Sequence, residues 1–392
     1  MHNLNPLSDT LIFNDENAEN DVGRQIKYLG GTNVLVIFND KNSKVNPLLD
    51  KIRRSLKNSG LDYVELVNND VNPRVEKVFD GLKICQNNEV DFVLCIGGES
   101  EFAIAKVIGV AAVYDDNFYN IFKAENDIDK TLPVGIISTS LHTGAAFFHK
   151  VQLSHKLDDG SLTFYTCKNL VLRPRFVMFN APLCRFDYQD PKYPVIRIIS
   201  YICHRYFSKA NRSTVLAKYM TMSSFVCVYE MYKKIKRNPE DMDAFNNIIW
   251  ASVDMALTPM YNIEENVSVD ALANAIVGVF DCPIEHAENI VIPAWFEFAK
   301  TYLEREITQI GNVVFNVPIN FFDYTETCKL TIVKIKEFAK SFDLPYKLRD
   351  FGADGTRVEE ILYKAGFPEV ESLAGYTKLD KTACEVILSL AM

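Results

Sequence analysis

Long apolar runs that alternate with helical stretches dominate the first half of the chain. Four of these runs predict strands: NVLVIFND (33–40), YVELVN (63–68), DFVLCIGG (91–98) and LPVGIIST (132–139). The runs lack polar alternation, which indicates strands buried on both faces. Amphipathic segments follow the first three runs, and alternating strands and helices predict a parallel sheet wound right-handedly. The segment NLVLRPRFVMFN (169–180) predicts a further strand pair that closes this half.

Helical periodicity replaces the strand pattern after about Asp187, and strand signals nearly vanish. Helices are predicted over 196–208, 213–237, 241–257, 268–280, 288–310, 327–342, 355–367 and 379–391. The segment around Pro191 is a plausible linker. The pattern therefore predicts an α/β domain over residues 1–187 and an all-helical domain over residues 188–392.

Charge and cysteine content limit the binding partners and the cellular compartment that we expect for this protein. The net charge of -9 argues against a nucleic-acid partner, which needs a basic face, and against an anionic membrane surface. No apolar run is long enough to span a bilayer, and the N-terminus has no signal-peptide pattern. The nine cysteines are scattered without a C-x-x-C pair, which is typical of buried thiols in a reducing cytoplasm.

The stretch VLCIGGESEFAIAK contains two glycines between a predicted strand and a predicted helix. Gly97 and Gly98 would permit close approach of a phosphate to the free N–H groups of the helix N-terminus, and Ser100 is a candidate N-cap. Glu99 adds a carboxylate that repels a pyrophosphate. The glycines are equally consistent with a tight turn that binds nothing, so both interpretations remain open here.

Several motifs together resemble the iron-containing alcohol dehydrogenases, especially those of the butanol dehydrogenase type. They occur in order along the chain: DFVLCIGGESEFAIAK, LPVGIISTSLHTGAAF, RPRFVMFNAPLC, NNIIWASVDMAL, FDCPIEHAENIVIPAW and YTKLDKTACEVILSLA. The resemblance implies a Rossmann-like N-terminal domain with a C-terminal helical domain, a fold shared with dehydroquinate synthases. It also implies NAD or NADP as cofactor, Fe²⁺ or Zn²⁺ as metal, and a small alcohol or aldehyde as substrate.

The resemblance implies that residues of three loops bind the cofactor. The retained positions are Gly97, Gly98, Ser100, Lys106, Thr139, Thr143 and Gly144. Asp40 could bind a ribose hydroxyl and so favour NAD over NADP, or it could be a turn residue. Two positions depart from the family pattern: Glu99 replaces a third glycine, and Ala103 replaces an aspartate.

The family binds its metal with one aspartate and three histidines, and these positions correspond here to Arg197, Tyr201, Asp270 and Ile284. An arginine stays protonated and repels a dication, and isoleucine offers no lone pair. The departures predict that the inherited metal site is degenerate.

Other residues that could bind a metal lie close in sequence to these four positions. A relocated metal site could form from His204, Asp270 and His286, because three N or O ligands suffice for a catalytic metal. Glu288 would support these ligands without binding the metal itself. The spacing of Asp270 and His286 is similar to the histidine segments of dehydroquinate synthases. The same residues could instead pack in the core, cap a loop or complement a helix dipole.

Two functional hypotheses follow. In the first, the chain is a cytoplasmic family member whose metal-dependent activity is impaired or lost, and which acts as a binding or partner-forming protein, for example as a homodimer. In the second, it is an active NAD(P)-dependent alcohol or aldehyde oxidoreductase with a relocated metal or none. In a metal-free site, Tyr201 and His204 are the candidate catalytic residues.

Overall fold

The computed structural model describes residues 10–41, 43–123, 128–158, 160–187, 189–208, 215–257, 268–373 and 378–392. The chain divides into two compact units. Unit 1 draws on the ranges Met1–Lys156, Phe164–Asp190 and Asn238–Leu257. Unit 2 draws on Leu157–Thr163, Pro191–Arg237 and Thr258–Met392.

A six-stranded parallel sheet forms the centre of unit 1. Its strand order is β1-β8-β5-β4-β2-β3, and every neighbouring pair is parallel. The strands are β1 (Leu11–Phe13), β2 (Asn33–Phe38), β3 (Asp62–Val67), β4 (Phe92–Gly97), β5 (Val134–Ser138) and β8 (Phe176–Met178). A separate two-stranded sheet pairs β6 (Lys150–Lys156) with β7 (Leu162–Lys168).

The unbroken apolar runs produce the buried strands of this sheet. Every residue of β4 is buried, as are all residues of β5, because both strands lie inside the sheet and helices cover the faces of such a parallel sheet. The helices are α1 (Val22–Tyr28), α2 (Asn46–Asn58), α3 (Val75–Asn88) and α4 (Glu99–Ala111). The predicted α/β architecture with a helical second half is confirmed.

The strand prediction was wrong in one segment, and three further strands were not predicted. Of the pair predicted over 169–180, only β8 forms, and Leu170–Leu172 is a 3-10 helix. Pro174 lies between them and cannot donate a ladder hydrogen bond. The three-residue β1 was not predicted, nor were β6 and β7.

Unit 2 is built from helices. They are α5 (Lys192–Tyr206), α6 (Val215–Arg237), α8 (Ser268–Phe280), α9 (Ile284–Ala299), α10 (Glu304–Phe315), α11 (Tyr324–Lys340), α12 (Gly355–Lys364) and α13 (Lys381–Ala391). The single helix predicted over 288–310 is two helices, because the chain turns between Ala299 and Glu304. Ala299, Leu303 and Ile307 are all buried at four-residue spacing, so the apolar period continues across the break.

Helix α7 (Met242–Leu257) belongs to unit 1, which differs from the predicted boundary at residue 187. Ser252 of α7 accepts a hydrogen bond from the Gly144 N–H at 3.1 Å and donates to the Leu141 carbonyl at 3.1 Å. A Cβ on Gly144 would lie 2.1 Å from the Ser252 carbonyl oxygen. The absence of a side chain at Gly144 therefore lets α7 pack directly on the loop after β5.

Two expectations from composition concern membranes and thiols. Within the described ranges, no helix is long and apolar enough to cross a membrane. All nine cysteines are free thiols, and all but the half-buried Cys227 are buried.

Candidate functional site

Three helices of unit 2 bring opposite charges together in its interior. The Nη1 atom of Arg197, on α5, donates to the Glu288 carboxylate of α9 and lies 3.6 Å from Oδ1 of Asp270 on α8. The Arg197 side chain is 11% exposed and that of Glu288 is fully buried. The guanidinium is therefore held between two carboxylates. We call Arg197, Tyr201, His204, Asp270 and Glu288 the guanidinium cluster.

The helical period of α5 places three members of the cluster on one face. Arg197, Tyr201 and His204 follow at spacings of four and three residues, which are neighbours on a helix surface. Arg197 Nη2 donates to the Tyr201 hydroxyl at 3.3 Å, and the guanidinium lies 5.0 Å from the Tyr201 ring centroid. His204 Nδ1 lies 3.6 Å from Asp270 Oδ2. Of the predicted catalytic pair, Tyr201 thus contacts Arg197, and His204 lies beside Asp270.

Glu288 is the most strongly perturbed acid of the cluster. Burial raises the pKa of Glu288 well above its usual range, the Arg197 charge opposes the shift, and the Asp270 charge adds to it. Its Oε2 atom is buried and has no hydrogen-bond partner among the residues that the structure describes. Arg197 thus opposes, without cancelling, the effect of burial on a carboxyl group that is fully buried.

In the part of the chain that the structure describes, His286 contacts Tyr193 and Phe351 and no member of the guanidinium cluster. Its ring stacks near Tyr193 and Phe351, with centroid separations of 5.7 Å and 6.3 Å, and Nε2 lies 3.4 Å from the Tyr193 hydroxyl. Burial lowers the pKa of His286. Residues two apart on a helix point roughly 200° apart, so His286 cannot share the face of Glu288. Among the described residues, no three His, Cys, Asp or Glu side chains group to hold a metal.

The predicted cofactor loops of unit 1 lie along one edge of its sheet. Asp40 follows β2, Gly97 is the last residue of β4 and Gly98 follows it, and Thr139 follows β5; the three strands are neighbours and parallel. The carboxyl edge of such a sheet is where doubly wound folds bind ligands. Asp40 is exposed, and its N–H donates to Asn69 Oδ1 at 3.4 Å.

A carboxylate from the chain itself occupies the glycine turn. Glu101 Oε2 accepts the Gly98 N–H at 3.0 Å, and Oε1 accepts Asn68 Nδ2 at 2.7 Å and Asn39 Nδ2 at 3.5 Å. Glu101 is 1% exposed, and burial raises the pKa of its carboxyl group. A Cβ on Gly97 would lie 2.7 Å from Glu101 Oε2. The space that these glycines leave is therefore filled by Glu101.

The remaining predicted cofactor residues have partners within unit 1. Ser100 Oγ lies 3.5 Å from Asn68 Nδ2, and Thr143 Oγ1 donates to the Ser140 carbonyl at 2.8 Å. Lys106 Nζ donates to the Phe148 carbonyl at 2.8 Å, and burial lowers the pKa of Lys106 to about 7. Glu99 lies 3.1 Å from His142 Nδ1.

Glu101, Asn68 and Asn39 were missed by the sequence reasoning. The signal for Glu101 was present: an acidic residue at the third position of a helix commonly reaches back to the N-cap N–H. The asparagines carry no such signal, because only the pairing of β2, β3 and β4 brings their ends together.

Two family models match consecutive parts of the chain. The model of iron-containing alcohol dehydrogenase matches residues 9–178. The model of the C-terminal domain of the Fe-containing alcohol dehydrogenase family matches residues 198–392. Together they account for nearly all of both units.

The chain belongs to the iron-containing alcohol dehydrogenase family. Among its relatives, NADH-dependent butanol dehydrogenase B from Clostridium acetobutylicum is 27% identical over 372 residues, which cover 89% of each chain. NADPH-dependent aldehyde reductase YqhD from Escherichia coli is 22% identical over 375 residues, which cover 93% of each chain. Family members thus include both NADH-dependent and NADPH-dependent enzymes that act on alcohols or aldehydes.

Two solved structures share the fold of this chain. The crystal structure of NADH-dependent butanol dehydrogenase A from Thermotoga maritima matches with a TM-score of 0.85 at 20% identity, covering 100% of this chain and 98% of the other. Escherichia coli YqhD matches with a TM-score of 0.86 at 19% identity, covering 100% of this chain and 99% of the other.

The family metal does not fit the guanidinium cluster. Of the four positions that correspond to family ligands, Arg197 carries a permanent positive charge and Ile284 has no lone pair. Asp270, the one carboxylate among them, already lies beside Arg197 and His204. A dication would have to displace the guanidinium from both carboxylates and occupy its volume.

Proposed function

We propose that this protein is an iron-containing alcohol dehydrogenase family member that has lost metal-dependent alcohol dehydrogenase activity. The single observation that supports the proposal is the position of Arg197, whose guanidinium contacts Glu288 and Asp270 in the interior of unit 2. The guanidinium supplies the positive charge that these carboxylates require. It removes the need for a metal at this place and also the room for one.

The loss has a direct chemical consequence. A metal accelerates alcohol oxidation because it polarises the alcohol oxygen and makes the alkoxide accessible at neutral pH. A guanidinium can only donate hydrogen bonds, and it offers no open coordination position. Arg197 therefore does not replace the Lewis acid, and alcohol turnover by the family route is not expected.

A protein that keeps the fold without the metal chemistry is expected to act through binding. We propose a cytoplasmic location, which the nine free thiols support because they require a reducing compartment. Self-association into a homodimer is a further expectation, and light scattering on the purified protein measures it directly.

The experiment is a turnover assay with NADH and with NADPH on butyraldehyde, and with NAD and NADP on butanol. Each reaction is run after anaerobic loading with Fe²⁺ or Zn²⁺ and after chelation. The Escherichia coli aldehyde reductase YqhD serves as the active control. The proposal predicts no turnover above background in any of them. Turnover that appears with metal and disappears with chelator would overturn it.

A second candidate is a metal-free NAD(P)-dependent reductase. One observation favours it: the Tyr201 hydroxyl is a hydrogen-bond acceptor from Arg197 at 3.3 Å and can in turn donate its own proton. A phenol oriented by a cation could donate a proton to a carbonyl oxygen as hydride arrives. This candidate predicts chelator-insensitive reduction of butyraldehyde that Tyr201→Phe abolishes. Chelator-insensitive activity that survives Tyr201→Phe would exclude the assigned role.

A further inference from the structure

We propose that Glu101 is a built-in anion that excludes a dinucleotide pyrophosphate from the glycine turn of unit 1. The inference goes beyond the proposed function, because it concerns cofactor recognition in unit 1 and not the metal position in unit 2. It also assigns to Glu101 a role that no part of the family resemblance carries.

The first support is that one hydrogen-bond donor of the turn, the Gly98 N–H, is already used. A glycine turn before a helix binds phosphate through N–H groups that have no partner in the protein. Here the Gly98 N–H donates to Glu101 Oε2 at 3.0 Å. An incoming phosphate oxygen would have to displace this carboxylate before it could accept the same bond.

The second support is that the contacts of Glu101 come from three neighbouring strand ends. Asn39 follows β2 and Asn68 follows β3, and both side-chain amides donate to Glu101 Oε1. Gly98 follows β4. A carboxylate bound by donors from three strand ends lies where the loops of a doubly wound sheet converge on a ligand. The turn therefore already holds an acidic side chain.

The third support is the space that the glycine provides. A side chain at Gly97 would place its Cβ 2.7 Å from Glu101 Oε2. Gly97 thus accommodates the Glu101 side chain, which accounts for the glycine without a bound phosphate. Glu99 adds a second carboxylate at the start of α4, beside His142. Two carboxylates at one helix start repel a pyrophosphate, and neither can donate to it while ionised.

The test measures dinucleotide binding with no metal and no alcohol present. Binding of NADH, NADPH and ADP-ribose is followed by calorimetry and by thermal shift, because a ligand of the native state raises apparent stability. The wild-type protein is compared with Glu101→Ala and Glu101→Gln. Glu76→Ala is the matched control, since Glu76 is also in the first turn of a helix of unit 1 but its carboxylate contacts His155 and the Lys156 N–H instead of Gly98.

The proposal predicts no measurable binding by the wild type and by Glu76→Ala. It predicts that both Glu101 variants gain affinity by about tenfold or more, since like charges in contact oppose association strongly. Glu101→Gln keeps the volume and an acceptor for the Gly98 N–H, so it tests the charge in a folded protein. Micromolar binding by the wild type overturns the proposal whatever the variants do. Folded variants that still fail to bind overturn it as well.

The outcomes separate this inference from the proposed function. Dinucleotide binding by the wild type would remove the role of Glu101 and leave the metal argument intact. Metal-dependent turnover would contradict the proposed function through Arg197. A gain of binding in the Glu101 variants, without turnover, supports both.

Discussion

Nη1 of Arg197 lies 3.6 Å from Oδ1 of Asp270, and the same nitrogen donates a hydrogen bond to Glu288. One cation thus serves two carboxylates, one of which is fully buried. A buried charge that loses its partner is costly, whereas a buried pair replaced by apolar residues of similar volume often is not. This asymmetry makes the guanidinium cluster testable by stability measurements alone.

The first prediction is a thermodynamic coupling between Arg197 and Glu288. Glu288→Leu leaves the guanidinium with Asp270 only, and should lower the free energy of unfolding by about 3 kcal/mol. Arg197→Met should also destabilise, because it leaves Glu288 and Asp270 without their cation. The double variant should be more stable than the sum of the single losses predicts, by about 1 to 3 kcal/mol. Urea unfolding of the four proteins measures the coupling, and strictly additive losses would contradict the pair.

The second prediction concerns the packing of α7 on the loop after β5. Gly144→Ala places a Cβ 2.1 Å from the Ser252 carbonyl oxygen and should destabilise the protein by about 2 kcal/mol or more. The matched control is Gly355→Ala at the start of α12, where an added Cβ meets nothing within 4 Å. That variant should be neutral or slightly stabilising. Equal melting temperatures for the two variants would show that α7 does not pack as described.

The third prediction concerns the pH dependence that Lys106 contributes. Its pKa is lowered by burial from 10.5 to about 7, so the folded state releases the proton before the unfolded state does. The stability that this residue contributes is present above pH 10.5 and is lost as the pH falls toward 7. Between pH 7 and 9 the free energy of unfolding should rise by about 2 kcal/mol relative to Lys106→Met.

The comparison with Lys106→Met isolates this contribution. The buried cysteines titrate in both proteins, and their raised pKa values act in the opposite direction, so only the difference between the two curves reports Lys106. A difference that stays constant from pH 7 to 9 would show that Lys106 remains charged in the folded state.

Much of the fold follows from local patterns in the sequence. The buried runs of β2, β4 and β5 are continuous and apolar, and the α5 period places Arg197, Tyr201 and His204 on one face. What could not be predicted depends on distant contacts. The assignment of α7 to unit 1 depends on Gly144 meeting Ser252, more than a hundred residues apart. The break between α9 and α10 could not be predicted from the sequence, because Leu303 continues the apolar period of Ala299.

The candidate site divides in the same way. The residues at the family ligand positions were assigned from the sequence motifs, and the degenerate site that their chemistry indicates stays a prediction. The sequence predicted for Glu288 only a supporting role next to the metal ligands. Its pairing with Arg197 depends on the packing of α5 against α9 and was not predicted. His286 was grouped with Asp270 by sequence spacing, but its position two residues before Glu288 turns it toward Tyr193 and Phe351.

The most direct measurement of the central claim is the metal content of the protein after anaerobic equilibration with excess Fe²⁺ or Zn²⁺ and removal of free ions. A variant with Arg197→Asp, Tyr201→His, Asp270→His and Ile284→His restores the family ligands and is the positive control. We expect the wild type to retain only traces of either metal. A stoichiometric amount that is lost in Asp270→Ala would contradict it.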